Sequence, residues 1–398
     1  MNRIDELIKK LCPNGVEYKK TSEIKIESFW LMPSTPTYIA DGVPYITSKN
    51  IKNGKINFEN VNYISEKDYL SISSNRTIKK NDLLITMIGT IGETAFVEEN
   101  IKFYGQNMYL IRLNEKVINR KFFNYYLTSE KIKNSLVSRK NTSSQGYIKA
   151  GSIENLLLPV PPLEVQCEIV HILDNFTLLS AELSAELKAR QKQFTYFEEK
   201  LLFNNNFEKV KLADLCIVNQ GLQIPINQRK KEPAENRYFY ITIQFLKGGD
   251  EKYYIESPQP NVICKKEDIL VTRTGSTGKI ITGVEGCFHN NFFKIEPNER
   301  ILKRYLYFVL NSKRMYNKML RAASGGTVPD LPHRKFYNLE IFLPSIEEQE
   351  KIINILDSFE KLCNDISEGL PAEIEARQKQ YEYYRDKLLT FKELKVNE

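Results

Sequence analysis

The sequence predicts an α/β protein in which two similar α/β domains are separated by two long antiparallel coiled-coil-like helices, in a pseudo-twofold and circular arrangement. Three observations lead there: the chain repeats itself, the repeated segments include two heptad-spaced apolar stripes, and charge is divided unevenly between the repeated parts. A length of 398 residues implies two or three domains. With 41% hydrophobic and 27% charged residues, the chain can bury real cores and is not a disordered polymer.

The repeat is legible by letter. Leu163-Glu-Val-Gln166 through Ile172-Leu-Asp-Asn-Phe176 returns as Ile346-Glu-Glu-Gln349 through Ile355-Leu-Asp-Ser-Phe359, and Ala189-Arg-Gln-Lys-Gln193 returns unchanged as Ala376-Arg-Gln-Lys-Gln380. Lys200-Leu-Leu202 likewise returns as Lys387-Leu-Leu389. The intervening domains repeat more faintly. Lys80-Asn-Asp-Leu-Leu-Ile-Thr86 matches Lys266-Glu-Asp-Ile-Leu-Val-Thr272, and Gly89-Thr-Ile-Gly92 matches Gly275-Ser-Thr-Gly278. Val16-Glu-Tyr-Lys-Lys20 loosely resembles Phe207-Glu-Lys-Val-Lys211, so the N-terminal stretch reads like what should follow the C-terminal helix. The predicted order is an N-terminal helix at 1–11, a domain at 12–160, a central helix at 161–203, a second domain at 204–342, a C-terminal helix at 343–392 and a tail at 393–398.

Each long helix is predicted from its spacing. From Ile169 the large positions run Ile172, Phe176, Leu179, Leu183, Leu187, Arg190, Phe194, Phe197, Leu201, steps of three and four with one inserted four. The second copy gives Ile352, Ile355, Phe359, Leu362, Ile366, Leu370, Ile374, Arg377, Tyr381, Tyr384, Leu388, Phe391, and its four extra residues keep the stripe on one face. Gly369 and Pro371 should weaken or kink this helix locally. Matching stripes should pack on each other, and a twofold relation makes the pair antiparallel.

The two domains mix β-branched and aromatic runs, such as Leu83-Leu-Ile-Thr86 and Tyr238-Phe-Tyr-Ile-Thr-Ile243, with helical patches such as Arg120–Leu127 and Leu302–Leu310. They are expected to hold helices packed on a mixed sheet. Net charge sharpens their reading. Segments 163–202 and 346–391 carry −3 and −5, which leaves +15 on the other residues of a chain whose total is +7. A basic excess confined to the domains is the footprint of polyanion binding. Loops rich in Ser, Asn, Gly, Lys and Arg (138–146, 228–231, 321–326) suit phosphate and base-edge contacts.

Other function classes find little support. There is no run of about 18 apolar residues, which excludes a transmembrane helix, and MNRIDELIKK lacks the apolar core of a signal peptide. The six cysteines form no CxxC pair, which suits a reducing cytoplasm. Gly275-Ser-Thr-Gly-Lys279 has the wrong spacing for a phosphate loop, because Arg273 and Ile280 stand where Gly and Ser or Thr are needed. Pro329-Asp330 lacks the Glu-x-Lys of a nuclease metal site, and His171, His289 and His333 have no ligand spacing. A Gly-rich cofactor loop joined to an Asn/Asp-Pro-Pro-aromatic motif is missing too. No catalytic and no metal-ligating set is expected.

Two basic domains, each closed by a Pro-(Pro)-Leu/Ile-Glu-x-Gln helix start and a long helix ending near Lys-Leu-Leu, together with the opening Leu11-Cys-Pro-Asn-Gly-Val-Glu-Tyr18, resemble the specificity (S) subunits of type I restriction-modification systems. The resemblance covers essentially the whole chain. It implies two target-recognition domains, each reading half of a bipartite DNA site, with paired helices that separate them and dock two modification (M) subunits. The chain would bind no cofactor. S-adenosylmethionine, ATP and Mg are expected on partner subunits, with restriction (R) subunits supplying ATP-driven translocation and cleavage. In this family tetrapeptide repeats in the central helix set the gap between half-sites, and Ser180-Ala-Glu-Leu183 followed by Ser184-Ala-Glu-Leu187 looks like that device. The second helix lacks it.

The candidate DNA-binding residues are Lys49, Lys52, Arg76, Arg139, Ser144, Gln145, Arg229, Lys230, Arg273, Lys279, Arg321 and Arg334. The protein is expected in the cytoplasm, without membrane contact. Two alternatives belong to other classes: a protein-only coiled-coil scaffold, and a stand-alone DNA-modifying enzyme with an unrecognised site.

Overall fold

The structure, a computed structural model, describes residues 2–138, 146–325, 328–365 and 368–394. It divides into two compact units, residues 1–182 with 375–398, and residues 183–374.

The first unit is built on an antiparallel sheet in the order Lys25–Leu31, Met108–Leu113, Leu83–Thr86, Thr94–Phe96. Side chains of a strand alternate between its faces, and the burial follows. Leu83, Ile85, Tyr109 and Ile111 pack against the helices Arg120–Leu127 and Glu130–Ser138. Leu84, Met108 and Leu110 pack on Val43, Tyr45, Ile46 and Ile64 of a second sheet. That second sheet runs Tyr104–Gly105, Val43–Ile46, Asn62–Ile64, Tyr38–Ile39, with the first pair parallel. Coverage on both faces explains why Leu83-Leu-Ile-Thr86 is a continuous rather than an alternating apolar run. The expected mixed sheet is therefore two sheets: the one under the helices is antiparallel, and the parallel pairing lies in the other.

The second unit repeats this plan. Its antiparallel sheet runs Cys216–Gln220, Phe292–Pro297, Ile269–Thr272, Ile280–Ile281, under the helices Lys303–Asn311 and Lys313–Ala322. Its second sheet runs Tyr254–Glu256, Arg237–Ile241, Gly286–Phe288, Ile263–Cys264, again with one parallel pair. The faint N-terminal likeness is real in three dimensions. Tyr18–Lys20 pairs with Leu157–Pro159 as Glu208–Lys211 pairs with Glu340–Leu343.

Within the first unit the chain ends meet, as the circular reading requires. The Val16 N–H reaches the Lys392 carbonyl (2.8 Å), the Leu394 N–H reaches the Val16 carbonyl (2.9 Å), and the Tyr18 hydroxyl donates to the Phe391 carbonyl (3.0 Å).

The central helix, Leu163–Leu202, is continuous over 40 residues and passes from the first unit into the second. Every predicted stripe position from Phe176 to Leu201 is half-buried, while most neighbours are exposed. Phe176 meets Tyr381 and Tyr384 in the first unit, and Phe194 and Phe197 meet Phe359 in the second.

The expected single C-terminal helix is two helices, Ile346–Asn364 and Leu370–Leu388. Gly369 sits where a Cβ would lie 2.6 Å from the Lys361 and Asp365 carbonyls, and Pro371 occupies the first turn of the second helix, where a missing N–H costs nothing. The stripe expected on Ile346–Asn364 holds in part. Ile352 is buried and Phe359 is half-buried against Phe194 and Phe197, whereas Ile355 and Leu362 are exposed and Leu356 and Cys363 are buried in their place. Both sets have helical spacing; the one that continues from buried Gln349 packs inward.

Candidate nucleic-acid interface

In each unit one edge gathers three loops, and a threonine fixes the first. The Thr272 hydroxyl donates to the Ser276 carbonyl (2.6 Å) and accepts the Lys279 N–H (2.8 Å), while the Gly278 N–H reaches the Thr272 carbonyl (2.8 Å). Thr86 makes the same set, to the Thr90 carbonyl, from the Glu93 N–H (2.9 Å) and from the Gly92 N–H (2.9 Å). Gly89, Gly92, Gly275 and Gly278 all take φ near +80°, which only glycine adopts without strain. Gly275-Ser-Thr-Gly-Lys279 is thus a hairpin turn whose last two N–H groups are engaged within it, not a phosphate cradle.

The second loop follows an inner strand of the second sheet, Val43–Ile46 in one unit and Arg237–Ile241 in the other. Thr242 caps a short helix through the Phe245 N–H (3.2 Å), and Thr47 occupies the matching place before Ser48–Asn50. A Cβ added to Gly275 would touch Ile243 at 3.5 Å, and one on Gly89 would touch Ser48 at 3.5 Å. Gln244 and Lys49 are therefore equivalent positions. In the third loop the Asn291 carbonyl accepts the Arg273 N–H (2.6 Å), as the Asn107 carbonyl accepts the Met87 N–H (3.2 Å).

In the second unit the second and third loops, with Arg229 and Tyr253 from neighbouring segments, wall a cavity of about 660 Å³ whose lining includes Gln244, Lys247, His289 and Asn291. The Arg229 guanidinium lies over Tyr240 and Tyr253, 5.0 and 5.4 Å from the ring centres, and its Nε donates to the Ile224 carbonyl (2.9 Å). His289 Nδ1 accepts the Asn291 N–H (3.0 Å). Burial, and then the Arg229 charge, hold the His289 ring below the usual imidazole range. With Nδ1 accepting the Asn291 N–H, the ring in its neutral form carries its proton on Nε2.

The structure distributes the sequence candidates unevenly. Arg229 lines the cavity; Lys230, its exposed neighbour, bridges to Tyr254 through the backbone. Arg273 is engaged in a bidentate fork on Asp330 (2.7 and 2.9 Å), whose carboxyl is held low by that hydrogen bond. Asp330, considered in the sequence as a metal ligand, is the partner of this arginine. Lys279, Arg321 and Arg334 are exposed and do not line the cavity.

In the first unit Lys49 is exposed on the loop equivalent to Gln244, and Lys52 lies on a hairpin turned by Asn53-Gly54 at φ +51° and +76°. Arg76 is exposed and donates to the Trp30 carbonyl (3.1 Å). Arg139, Ser144 and Gln145 lie outside the described residues. Sequence reasoning missed Gln244, Lys247, His289 and Asn291. The shared Ile-Thr dipeptides, Ile46-Thr47 and Ile241-Thr242, are the signal that locates their loop. Among the described residues no group of three His, Cys, Asp or Glu side chains has metal-ligand geometry.

The Glu-x-Gln motif ties the long helices to these modules. Gln166 accepts the Asn119 N–H (2.7 Å) and donates to the Val117 and Pro161 carbonyls; Gln349 accepts the Leu302 N–H (2.8 Å) and donates to the Arg300 and Pro344 carbonyls.

Two copies of one α/β module, each presenting amide- and cation-bearing loops at the same edge, define a binding protein with paired recognition modules. The sequence matches the family of the type I restriction modification DNA specificity domain over residues 31–190 and 204–376, and the chain belongs to that family. It is 33% identical over 309 residues to a protein of Haemophilus influenzae strain Rd described as a type I restriction enzyme specificity subunit, covering 73% of this chain and 77% of that one. To the Escherichia coli EcoR124I/EcoR124II specificity subunit it is 36% identical over 250 residues, 58% of this chain and 61% of the relative. A solved chain described under complex assembly and conformational transition of the type I R-M system shares the fold. The TM-score is 0.63 at 17% identity, over 95% of this chain and 98% of the other. Among the described residues no helix is long and apolar enough to cross a membrane.

Proposed function

We propose that the chain is the non-catalytic specificity subunit of a type I restriction-modification enzyme, with recognition domains at 12–160 and 204–342 that each read half of a bipartite duplex DNA target. The observation that supports it best is the repeated loop edge: Thr86 and Thr272 fix matching turns, and the adjacent loops carry Lys49 in one unit and Gln244, Arg229 and His289 in the other. Exposed Lys49, Lys52, Lys230 and Lys279 neutralise phosphates, which fixes register and makes affinity salt-dependent. The loop amides and guanidinium read base edges.

The long helices dock two modification subunits, which bring S-adenosylmethionine, and restriction subunits bring ATP and Mg; this chain takes no cofactor of its own. The paired Ser-Ala-Glu-Leu tetrapeptides of the central helix set the half-site gap, each four-residue step adding about 6 Å of helix. The place of action is the cytoplasm, where the DNA is.

Adenine-methylation mapping of host DNA with and without the gene tests this. A bipartite motif that disappears on deletion is the expected result. An unchanged methylome from a strain with active modification subunits overturns it, and the absence of any salt-dependent DNA affinity in the purified chain points to a protein-only scaffold instead.

A further inference from the structure

The second unit's cavity differs from a phosphate site in one respect: Glu251 stands on its wall beside Arg229 and Lys247, its carboxylate accepting the Tyr253 hydroxyl (2.7 Å). Glu251 offsets part of the cationic charge that a phosphate would seek there, and leaves room for a neutral base-pair edge. The arginine is also oriented rather than loose. Two tyrosine rings and the Ile224 carbonyl hold the Arg229 guanidinium by its faces and its Nε, its only hydrogen bond among the described residues. The two Nη groups remain as a fork. That fork matches the O6 and N7 acceptors of guanine in the major groove and no other base edge as well. His289, with Nδ1 engaged by the Asn291 N–H, adds a donor at Nε2 on the same lining.

We propose that the second unit reads a guanine of its half-site through Arg229, with His289 as a further specificity-determining donor. This rests on the chain's role as a specificity subunit. The first unit reads its half-site with a different set. Lys49 stands in the place of Gln244, Gln106 in that of His289, and the ring beside Tyr45 is Tyr38 (5.9 Å) where Tyr240 has the arginine. The two half-sites are accordingly not copies of each other.

The test uses the assembled enzyme in its host. Methylation mapping is run for the unaltered chain, Arg229→Gln and Arg229→Lys. The expected result is relaxation of one position in one half-site, that position being a guanine, with the other half-site unchanged and both variants relaxed because lysine lacks the fork. On a synthetic duplex bearing the mapped motif, 7-deazaguanine at that position should weaken binding of the unaltered enzyme about 10- to 100-fold. This second arm stands even where the variants fail to fold. Relaxation at an A·T pair, an unchanged motif in variants that still direct methylation, or indifference to every 7-deazaguanine in both half-sites overturns the proposal. Absence of any bipartite motif for the unaltered chain instead overturns the specificity role itself.

Discussion

The side-chain oxygen of Gln166 accepts the backbone N–H of Asn119 at 2.7 Å, and Asn119 in turn caps the helix Arg120–Leu127 through the Lys121 and Phe122 N–H groups. One fully buried amide thus couples the start of the central helix to the start of a domain helix. Gln349 does the same for Leu302 and the helix Lys303–Asn311. Gln166→Met keeps the volume but leaves one N–H and two carbonyls without their partner, at a cost of about 2–3 kcal/mol to the first unit. Calorimetry should show a lowered transition for that unit. Gln349→Met should lower that of the second, and a loss below about 0.5 kcal/mol in both excludes this coupling role.

Arg273 is held by Asp330, so its charge is already neutralised within the module. Both side chains are about one-third exposed, and the pair adds little stability, at most about 1 kcal/mol. Asp330→Asn should therefore fold normally, release the cation and tighten binding to nonspecific duplex, with the slope of log K against log salt steeper by up to about 0.9. Fluorescence anisotropy between low and moderate salt reads this directly. An unchanged slope removes Arg273 from the DNA-facing surface.

How far the letters reach is clear from particular residues. Leu83-Leu-Ile-Thr86 is readable as a strand because both faces are covered, and the central stripe is readable because its positions from Phe176 to Leu201 are half-buried while most of their neighbours are exposed. Gln166 and Gln349 are visible as a repeated letter, but their work is not, since it depends on carbonyls 49 residues away at Val117 and Arg300. Ile355 and Leu362 continue the heptad steps from Ile352, yet Leu356 and Cys363 offer an equally spaced stripe, and packing around Gln349 chooses between them. Arg273 reads as a free cation until the fold brings Asp330, 57 residues on, against it. The cavity loops escaped because the repeat changes register there: Thr86 and Thr272 are 186 apart, whereas Thr47 and Thr242 are 195 apart.

Lysines that meet phosphates and residues that read bases should separate in one experiment. Lys49→Ala, Lys52→Ala and Lys279→Ala, all exposed, are expected to weaken binding to any duplex and to lower the salt slope by about one each, leaving the methylated motif intact. A lysine whose removal alters the motif reads a base; one whose removal leaves the slope unchanged faces away from DNA.

Stability of the second unit should fall with rising pH because of one carboxyl. Burial, then the neighbouring charge of Glu199, push Glu198 on the central helix up to about 7. An unfolded glutamate releases its proton near 4.3, so between that value and about 7 the folded chain binds a proton that the unfolded chain has lost. Protons then favour the folded state: the stabilisation is whole below the window, declines through it and is gone above it. Glu198→Gln should leave the melting temperature unchanged near pH 4 and raise it at pH 8, flattening the profile. Glu199→Gln is the informative control, because Glu199 pairs with Arg314 at 2.6 Å, which itself lies over Phe203. Its removal costs that pair while lowering the Glu198 shift, so its profile should be flatter than the unaltered chain's without the gain of Glu198→Gln at pH 8. Thermal unfolding from pH 4 to 9 decides: curves for Glu198→Gln and the unaltered chain that run parallel throughout place the pH dependence elsewhere.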